Sequence, residues 1–317
     1  MTSRYGITIP FEGVTLLEHR KWFHRLADLG YTDVWSAEVD GADGFTPLTI
    51  AALSEARLNL GVAVTPVFTR GAGLLAMSVA AMAEVADGRF TMGLGASSQP
   101  VVERWNGIAY EHPFAKTRDT LRFLKRALDG EKIDEAFETF EVHGFKLSRP
   151  VIVRPPILLG ALRPGMLRLA GREADGAILN WLAASDVAQC QKEVGDGKTI
   201  AARLFVIPNP DAEAARFIAR RMISSYLTVS AYAEFHRWLG RGDVLTPMWD
   251  AWSAGDRKLA NEMIPDSVVD ELVIHGSYDA CREHIGRYIE AGIDIPTIAI
   301  VPFGIDLAEA VQGLAPR

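Results

Sequence analysis

Reactive side chains are scarce where this sequence could use them. Its short apolar runs end in Pro10-Phe11-Glu12, Ser36-Ala37-Glu38-Val39-Asp40, Val64-Thr65-Pro66, Gly95-Ala96-Ser97-Ser98, Gly160-Ala161-Leu162-Arg163, Asn180-Trp181, Pro208-Asn209 and Pro302-Phe303. The titratable groups there are mainly Glu12, Glu38, Asp40 and Arg163, and no His or Cys lies among them. Hydrolysis would need more acids, bases or nucleophiles than this. The set suits a bound cofactor that does the reacting while the protein orients it.

Two of these ends have the composition of a phosphate site. Arg89 to Ser98 and Pro156 to Gly165 each close an apolar strand with small residues, and the second runs into a helix. Small residues let a ligand approach the backbone, and a helix start offers free N–H groups. Pro164 fits a first helical turn, where its missing N–H costs nothing. The N–H groups around Leu162, Arg163 and Gly165 would then face an anion, with the Arg163 guanidinium beside it. The plain alternative is an ordinary tight strand-to-helix turn. Gly93-Leu94-Gly95-Ala96-Ser97-Ser98 looks like a dinucleotide fingerprint, but it lacks the third glycine and sits at a fourth strand.

What must position these ends is an alternation of strand and helix. Strands read over Tyr5–Ile9, Asp33–Ala37, Leu58–Thr65, Phe90–Gly93, Ile157–Leu159, Gly176–Leu179, Ala201–Ile207 and Thr297–Val301. Helices read over Leu16–Leu29, Thr46–Ala56, Leu74–Ala86, Pro113–Leu128, Met166–Glu173, Asp186–Val194, Asp211 to about Asn261, and Asp279–Ala291. Pro66 is expected to end the third strand, since it cannot donate to a ladder. Near-continuous apolar strands imply burial on both faces. Eight such units predict one α/β domain over residues 1–317, a closed (β/α)8 barrel, with an open doubly wound sheet as the rival. Two insertions are expected. One is a hairpin within 131–150, with strands Thr139–Val142 and Phe145–Leu147 around His143-Gly144. The other is a helical segment after strand seven, about 226–265, whose Tyr226, Tyr232, Phe235, Trp238, Trp249 and Trp252 could cap the barrel mouth or form a satellite core or oligomer interface.

Composition narrows the class. With 317 residues, 49% of them hydrophobic, the chain can bury a large core. A net charge of −7 leaves no basic footprint for nucleic acid. The two cysteines, Cys190 and Cys281, and the seven histidines show no metal-ligand spacing, so no metal is expected. No apolar run approaches the length of a membrane span, and the first residues lack a signal-peptide pattern; a cytoplasmic location is expected. There is no GxSxG elbow or P-loop.

Several stretches together resemble the bacterial luciferase-like superfamily: Gly30-Tyr-Thr-Asp-Val-Trp-Ser-Ala-Glu38, Thr65-Pro-Val-Phe-Thr-Arg70, Gly88-Arg-Phe-Thr-Met-Gly-Leu-Gly95 and Leu169-Ala-Gly-Arg-Glu-Ala-Asp-Gly176. The likeness is greatest to its deazaflavin (coenzyme F-420)-dependent oxidoreductases of actinobacteria. Trp105-Asn-Gly107, Gly160 to Gly171 and Phe235-His-Arg-Trp-Leu-Gly240 are similar to one branch of that group. The resemblance implies a TIM barrel with the deazaflavin across the strand ends and a non-prolyl cis peptide in strand three, at Ala63-Val64 by position. The cofactor-binding positions it implies are Ala63, Val64, Thr65, Gly95, Ala96, Ser97, Gly160, Ala161, Leu162, Arg163 and Asn180. Glu38 falls where many members carry an acid near the ring.

Two departures qualify the likeness. Characterised sugar-phosphate and alcohol dehydrogenases of the family carry a histidine after that acid, where this chain has Val39, and a glutamate after the strand-four glycines, where it has Ser98. Their proton-handling pair and substrate therefore do not transfer. Glu38, Glu12 and Ser98 stand as the catalytic candidates, with Asp40 as a further polar group. The expected activity is hydride transfer between coenzyme F-420 and an apolar small molecule. An FMN-dependent monooxygenase and a non-catalytic flavin or ligand barrel are the alternatives. A homodimer is expected by kinship, with Leu16–Leu29 or the first two helices able to supply an apolar face.

Overall fold

Eight parallel strands close into a ring in the computed structural model, which describes residues 4–317. They are β1 (Gly6–Thr8), β2 (Asp33–Ser36), β3 (Asn59–Val62), β4 (Phe90–Gly95), β5 (Ile157–Gly160), β6 (Gly176–Asn180), β7 (Thr199–Ile207) and β8 (Ile295–Ile300). Each pairs with the next in chain order, and β8 returns to β1 with Gly6 opposite Thr297. The outer layer begins with α1 (His19–Asp28), α2 (Thr46–Ser54), α3 (Ala72–Ala86), α4 (Pro113–Leu128), α5 (Pro164–Glu173) and α6 (Val187–Val194). The barrel reading holds and the open sheet does not.

Side chains fill the barrel axis. Trp35, Leu158, Ile178, Ala201 and Ile295 form an inner cluster, with Ala63 and Val64 packed on its upper side. Trp35 fits only because Gly61 faces it, since a Cβ there would lie 2.4 Å from the indole. A larger cluster joins the outward strand faces to the helices through Phe23, Leu26, Leu48, Val79, Phe90 and Leu124.

Five differences from the sequence reading have identifiable causes. Strand three is broken: β3 stops at Val62, and Thr65–Pro66 resumes pairing against Leu94 and Gly95. Pro66 thus lies within the ladder, and Val67 N–H supplies the next bond, to Gly95 O at 2.9 Å. The 131–150 hairpin pairs Ile133–Ala136 with Glu141–Phe145 and turns at Phe137–Phe140, which places His143-Gly144 inside its second strand. Stacking of Phe137 on Phe140 (4.8 Å) and the packing of both, with Phe145, around Phe123 set that register. The first helix starts at His19 because Glu18 accepts the Thr15 N–H and hydroxyl in a preceding turn. The last two differences are elements that were not expected: a six-residue π-helix at Pro100–Trp105, and the two-residue strand Ile274–His275 beside β7.

The single long helix expected after β7 is several. α7 (Ala212–Leu227) is capped by Asp211, and α8 (Ser230–Trp238), α9 (Gly242–Ser253), α10 (Arg257–Glu262) and α11 (Asp266–Leu272) follow before α12 (Tyr278–Glu290). A further helix, α13 (Leu307–Gly313), follows β8. The segment has its own core, in which Ile223, Leu227, Leu245, Met248 and Trp249 pack against Trp181 and Phe205 from the ends of β6 and β7. The Arg241 guanidinium clamps it to the barrel, donating to both Asp186 oxygens at 2.9–3.0 Å and to Glu271 at 3.0 Å.

Exposed apolar residues lie on the first two helical segments, at Leu17 and Leu53, and on α3. α1 buries Phe23 and Leu26 and exposes Arg20, Lys21 and His24. α3 exposes Leu74, Met77 and Val85. No helix among the described residues is long and apolar enough to cross a membrane.

Candidate active site at the barrel mouth

The C-terminal strand ends surround one half-buried side chain, Val64. It stands where β3 breaks, and the Ala63–Val64 peptide is cis. The isopropyl group is flanked by two glycines. A Cβ on Gly95 would lie 2.6 Å from Val64 Cγ2, and one on Gly160 3.1 Å from Val64 Cγ1. The two strand-end glycines therefore make room for Val64 itself, rather than for direct approach of a ligand to their own backbone. Val64 is half-buried at the strand ends as an apolar platform, and Ala37, Ala63 and Asn180, also at strand ends, are half-buried too.

A candidate anion site lies on one side of this platform. After β4, Ala96, Ser97 and Ser98 are half-buried and Ser97 takes a left-handed conformation, φ 61°. The Tyr110 hydroxyl donates to the Ser97 carbonyl at 3.2 Å, and the ring packs on Phe68 at 5.0 Å. Burial raises the Tyr110 phenol pKa, and the positive charge of Arg163 opposes that shift, so Tyr110 lies between the two phosphate candidates. Arg163 precedes α5 in an extended conformation, is exposed, and gives no side-chain cap; Pro164 opens the helix. No acidic residue occupies that first turn. Its N–H groups at Gly165 and Met166, which a helix start leaves without intrahelical partners, and the guanidinium make a site suited to phosphate. Leu162 is half-buried beside it and Ala161 is buried, donating its N–H to Ile178 O at 3.0 Å.

The carboxylate candidates are disposed differently. Arg70 approaches Glu38 with Nε at 3.2 Å from Oε1 and Nη2 at 3.3 Å from Oε2, and Gly44 N–H donates to Oε2 at 3.2 Å. Arg70 also stacks over Phe45 at 4.9 Å. Glu38 is thus a fixed carboxylate with its partners supplied. Glu12 and Asp40 are exposed on loops after β1 and β2. The Ser98 carbonyl accepts the Val102 N–H at the start of the π-helix. Thr65 is buried, with its hydroxyl lacking a protein partner. The structure gathers Ala63, Val64, Gly95 and Gly160 at the platform; it does not bring Glu12, Glu38 and Ser98 into mutual contact.

Sequence reasoning missed the polar ring below the platform. Arg203 of β7 lies opposite Asn180 of β6 and Thr297 of β8 in the strand register. With Thr8, Trp35, Ser36 and Ala63 it lines a cavity of about 10 Å³, the space of one water. Arg203 Nε, Thr8 Oγ1, Thr297 Oγ1 and Trp35 Nε1 are buried there with no protein partner. Asn180 donates to the Tyr232 hydroxyl at 3.0 Å, and burial pushes that phenol up to about 12. The available signal was an arginine at an inward position of an otherwise apolar strand. Among the described residues no cluster of His, Cys, Asp or Glu could hold a metal ion. Cys190 and Cys281 are free and buried, and burial pushes both thiols up to about 12.

Comparison with known proteins agrees with this architecture. Residues 4–294 match the model of the family described as luciferase-like monooxygenase. The 5,10-methylenetetrahydromethanopterin reductase of Methanolobus tindarius is 26% identical, covering 97% of both chains. A Mycobacterium tuberculosis protein named as a coenzyme F-420-dependent oxidoreductase is 26% identical over 91% of this chain and 90% of its own. The solved coenzyme F-420-dependent tetrahydromethanopterin reductase from Methanopyrus kandleri shares the fold at a TM-score of 0.79, with 18% identity over 99% of this chain and 97% of the other.

Proposed function

The chain belongs to the luciferase-like monooxygenase family, and from that premise we propose that it is an oxidoreductase using coenzyme F-420, acting on a small molecule with an apolar body. The observation that carries this reading is the pairing of the Val64 platform with an anion site at Ser97, Tyr110 and Arg163. An apolar surface beside a phosphate site is what a flat ring with a phosphorylated tail needs. The relatives named for coenzyme F-420 or for a reductase of a pterin support the choice of ring.

A bound deazaflavin would supply the carbon that takes or gives the hydride. The chain's part is placement. Val64 would support one face of the ring and leave the other to the substrate, so proximity supplies much of the acceleration. The α5 N-terminus and Arg163 would hold the phosphate, and the Tyr110 hydroxyl would keep the Ser97 turn in its left-handed form. Glu38, held by Arg70 and Gly44, would fix the loop after β2 against the ring's edge. Trp181, Phe205, Tyr226 and Tyr232 wall the mouth on the insertion side, with Trp181 stacked on Phe205 at 4.3 Å.

Fluorescence titration of the apoprotein with coenzyme F-420 and, separately, FMN tests the reading. Micromolar F-420 binding, weakened at least tenfold in Arg163→Ala, is expected. FMN binding without a response to F-420 would make the protein an FMN-dependent monooxygenase instead. Binding without hydride exchange across a compound screen would leave a non-catalytic barrel. We further assign the exposed α3 face, with Leu53, to a second copy of the chain. A helix apolar on all sides is buried on all sides, and α3 carries no charge before Glu84.

A further inference from the structure

We propose that the polar ring below Val64 is the seat of a substrate carboxylate, so that the substrate is an acid with an apolar body. This rests on the reading of the mouth as a cofactor and substrate site and goes beyond it by naming the group the substrate must carry.

The argument begins with strand parity. Ala201 belongs to the inner cluster, so Arg203 and Phe205, two and four residues on, face the barrel axis as well. Register sets Arg203 between Asn180 and Thr297, and Thr8 and Trp35 complete the lining through β1 and β2. The guanidinium rests on the Phe205 ring at 4.9 Å. Among the described residues no carboxylate lies within ion-pair distance of it. Arg70, another cation at the mouth, is matched by Glu38. Arg203 is a cation inside a barrel with no counter-charge from the protein.

The chemistry of the unpaired atoms selects the ligand. Arg203 Nε and Trp35 Nε1 can only donate, the Thr8 and Thr297 hydroxyls can donate or accept, and the unpaired Asn180 Oδ1, which only accepts, lies outside the cavity lining. Buried donors without acceptors are costly, and a cluster of them in one cavity implies an acceptor of matching charge. A carboxylate accepts at two oxygens and carries the charge that Arg203 lacks. The cavity has room for one water-sized group, so one carboxylate oxygen can enter it while the rest of the acid stays in the mouth above. There Val64, Tyr226 and Tyr232 offer apolar surface.

The test uses acid–amide pairs as probes: acetate and acetamide, cyclohexanecarboxylate and its amide, cinnamate and cinnamamide. Calorimetric titration at pH 7 is run on wild type, Arg203→Met and Arg203→Lys, with folding checked by circular dichroism. At least one acid is expected to bind tenfold or more tightly than its amide, as a charge-assisted buried pair should. Arg203→Met should lose that preference, keep its affinity for coenzyme F-420, and melt at a higher temperature than wild type when unliganded, because an uncompensated cation is gone. Arg203→Lys should retain part of the preference. Equal affinities in every wild-type pair, or a preference that survives Arg203→Met, would overturn the proposal. So would loss of F-420 affinity in Arg203→Met with the acid preference intact, which would give Arg203 to the cofactor. Acid selectivity in a wild type that binds no F-420 would sustain this assignment while defeating the coenzyme reading.

Discussion

The contact between Val64 and its two glycines can be broken and then repaired. In Gly95→Ala the new methyl would sit 2.6 Å from Val64 Cγ2, short of the 3.4 Å at which ordinary contact begins. About 0.8 Å must therefore be found. The alanine backbone itself is unstrained, because Gly95 is a β4 residue without a positive φ. The valine cannot easily turn away, because its χ1 is stiff. Overpacking of this kind costs about 1–3 kcal/mol. Val64→Ala alone removes two methyls from a half-buried side chain, worth about 1 kcal/mol. In the double variant the next contact is Val64 Cβ, at 3.4 Å, and the clash is gone. The double variant should therefore be less destabilised than the sum of the singles by about 1–2 kcal/mol. Urea unfolding followed by tryptophan fluorescence measures all three. Coenzyme titration on the same samples should show Gly95→Ala weakened about tenfold, since Val64 is pushed into the mouth. Additivity within about 0.5 kcal/mol would refute the claim that these glycines exist to seat Val64.

Two further outcomes can be checked with the same protein. His236 is fully buried, and burial together with the Arg241 charge holds its pKa down to about 3, from 6.5. The unfolded chain therefore binds a proton below pH 6.5 that the folded chain refuses. Stability should fall with acidification by about 1.4 kcal/mol per pH unit between 6.5 and 3 from this residue alone. His236→Leu should remove that part of the slope in urea titrations at pH 7, 6 and 5, and an unchanged slope would contradict the assignment. Leu74→Glu with Met77→Glu on the exposed face of α3 should convert a dimer to a monomer in light scattering, with melting altered little. A monomeric wild type would dispose of the interface.

The barrel was legible because each strand is a short apolar run and several crossover helices are followed by a closing glycine, as at Leu29-Gly30 and Asp129-Gly130. Those signals are local. The hairpin register was not, because it depends on Phe137, Phe140 and Phe145 reaching Phe123 on α4. The roles of Gly95 and Gly160 were half visible: small residues at strand ends were seen, but what they accommodate is a valine in the break after β3. Arg203 was hidden for a similar reason. Which residues of β7 face the axis is settled only when β6 and β8 fix the register of the closed ring. Read alone, Ala202-Arg203-Leu204 is one polar residue in an apolar strand.

Arg70 and Arg203 argue together about where the negative charge at the mouth comes from. Arg70 and Glu38 satisfy each other, with Gly44 and the Phe45 ring taking up the remaining contacts. Such a pair holds a loop in place and leaves little for a substrate, which fits a chain whose histidine and glutamate positions are Val39 and Ser98. Arg203 has the opposite disposition, a buried Nε with an aromatic face beneath it and donors around it. A barrel interior tolerates an uncompensated cation only at a cost in stability, and a residue kept at such a cost is explained by what it binds. The carboxylate at this mouth therefore arrives with the substrate, and a substrate held by its own charge needs no neighbouring acid to orient it. Proton handling is then left to the substrate's own acidity or to solvent at the open side, where Glu12 and Asp40 are exposed. On that logic Glu38→Gln should loosen cofactor binding through the Arg70 loop while leaving any pH dependence of turnover unchanged.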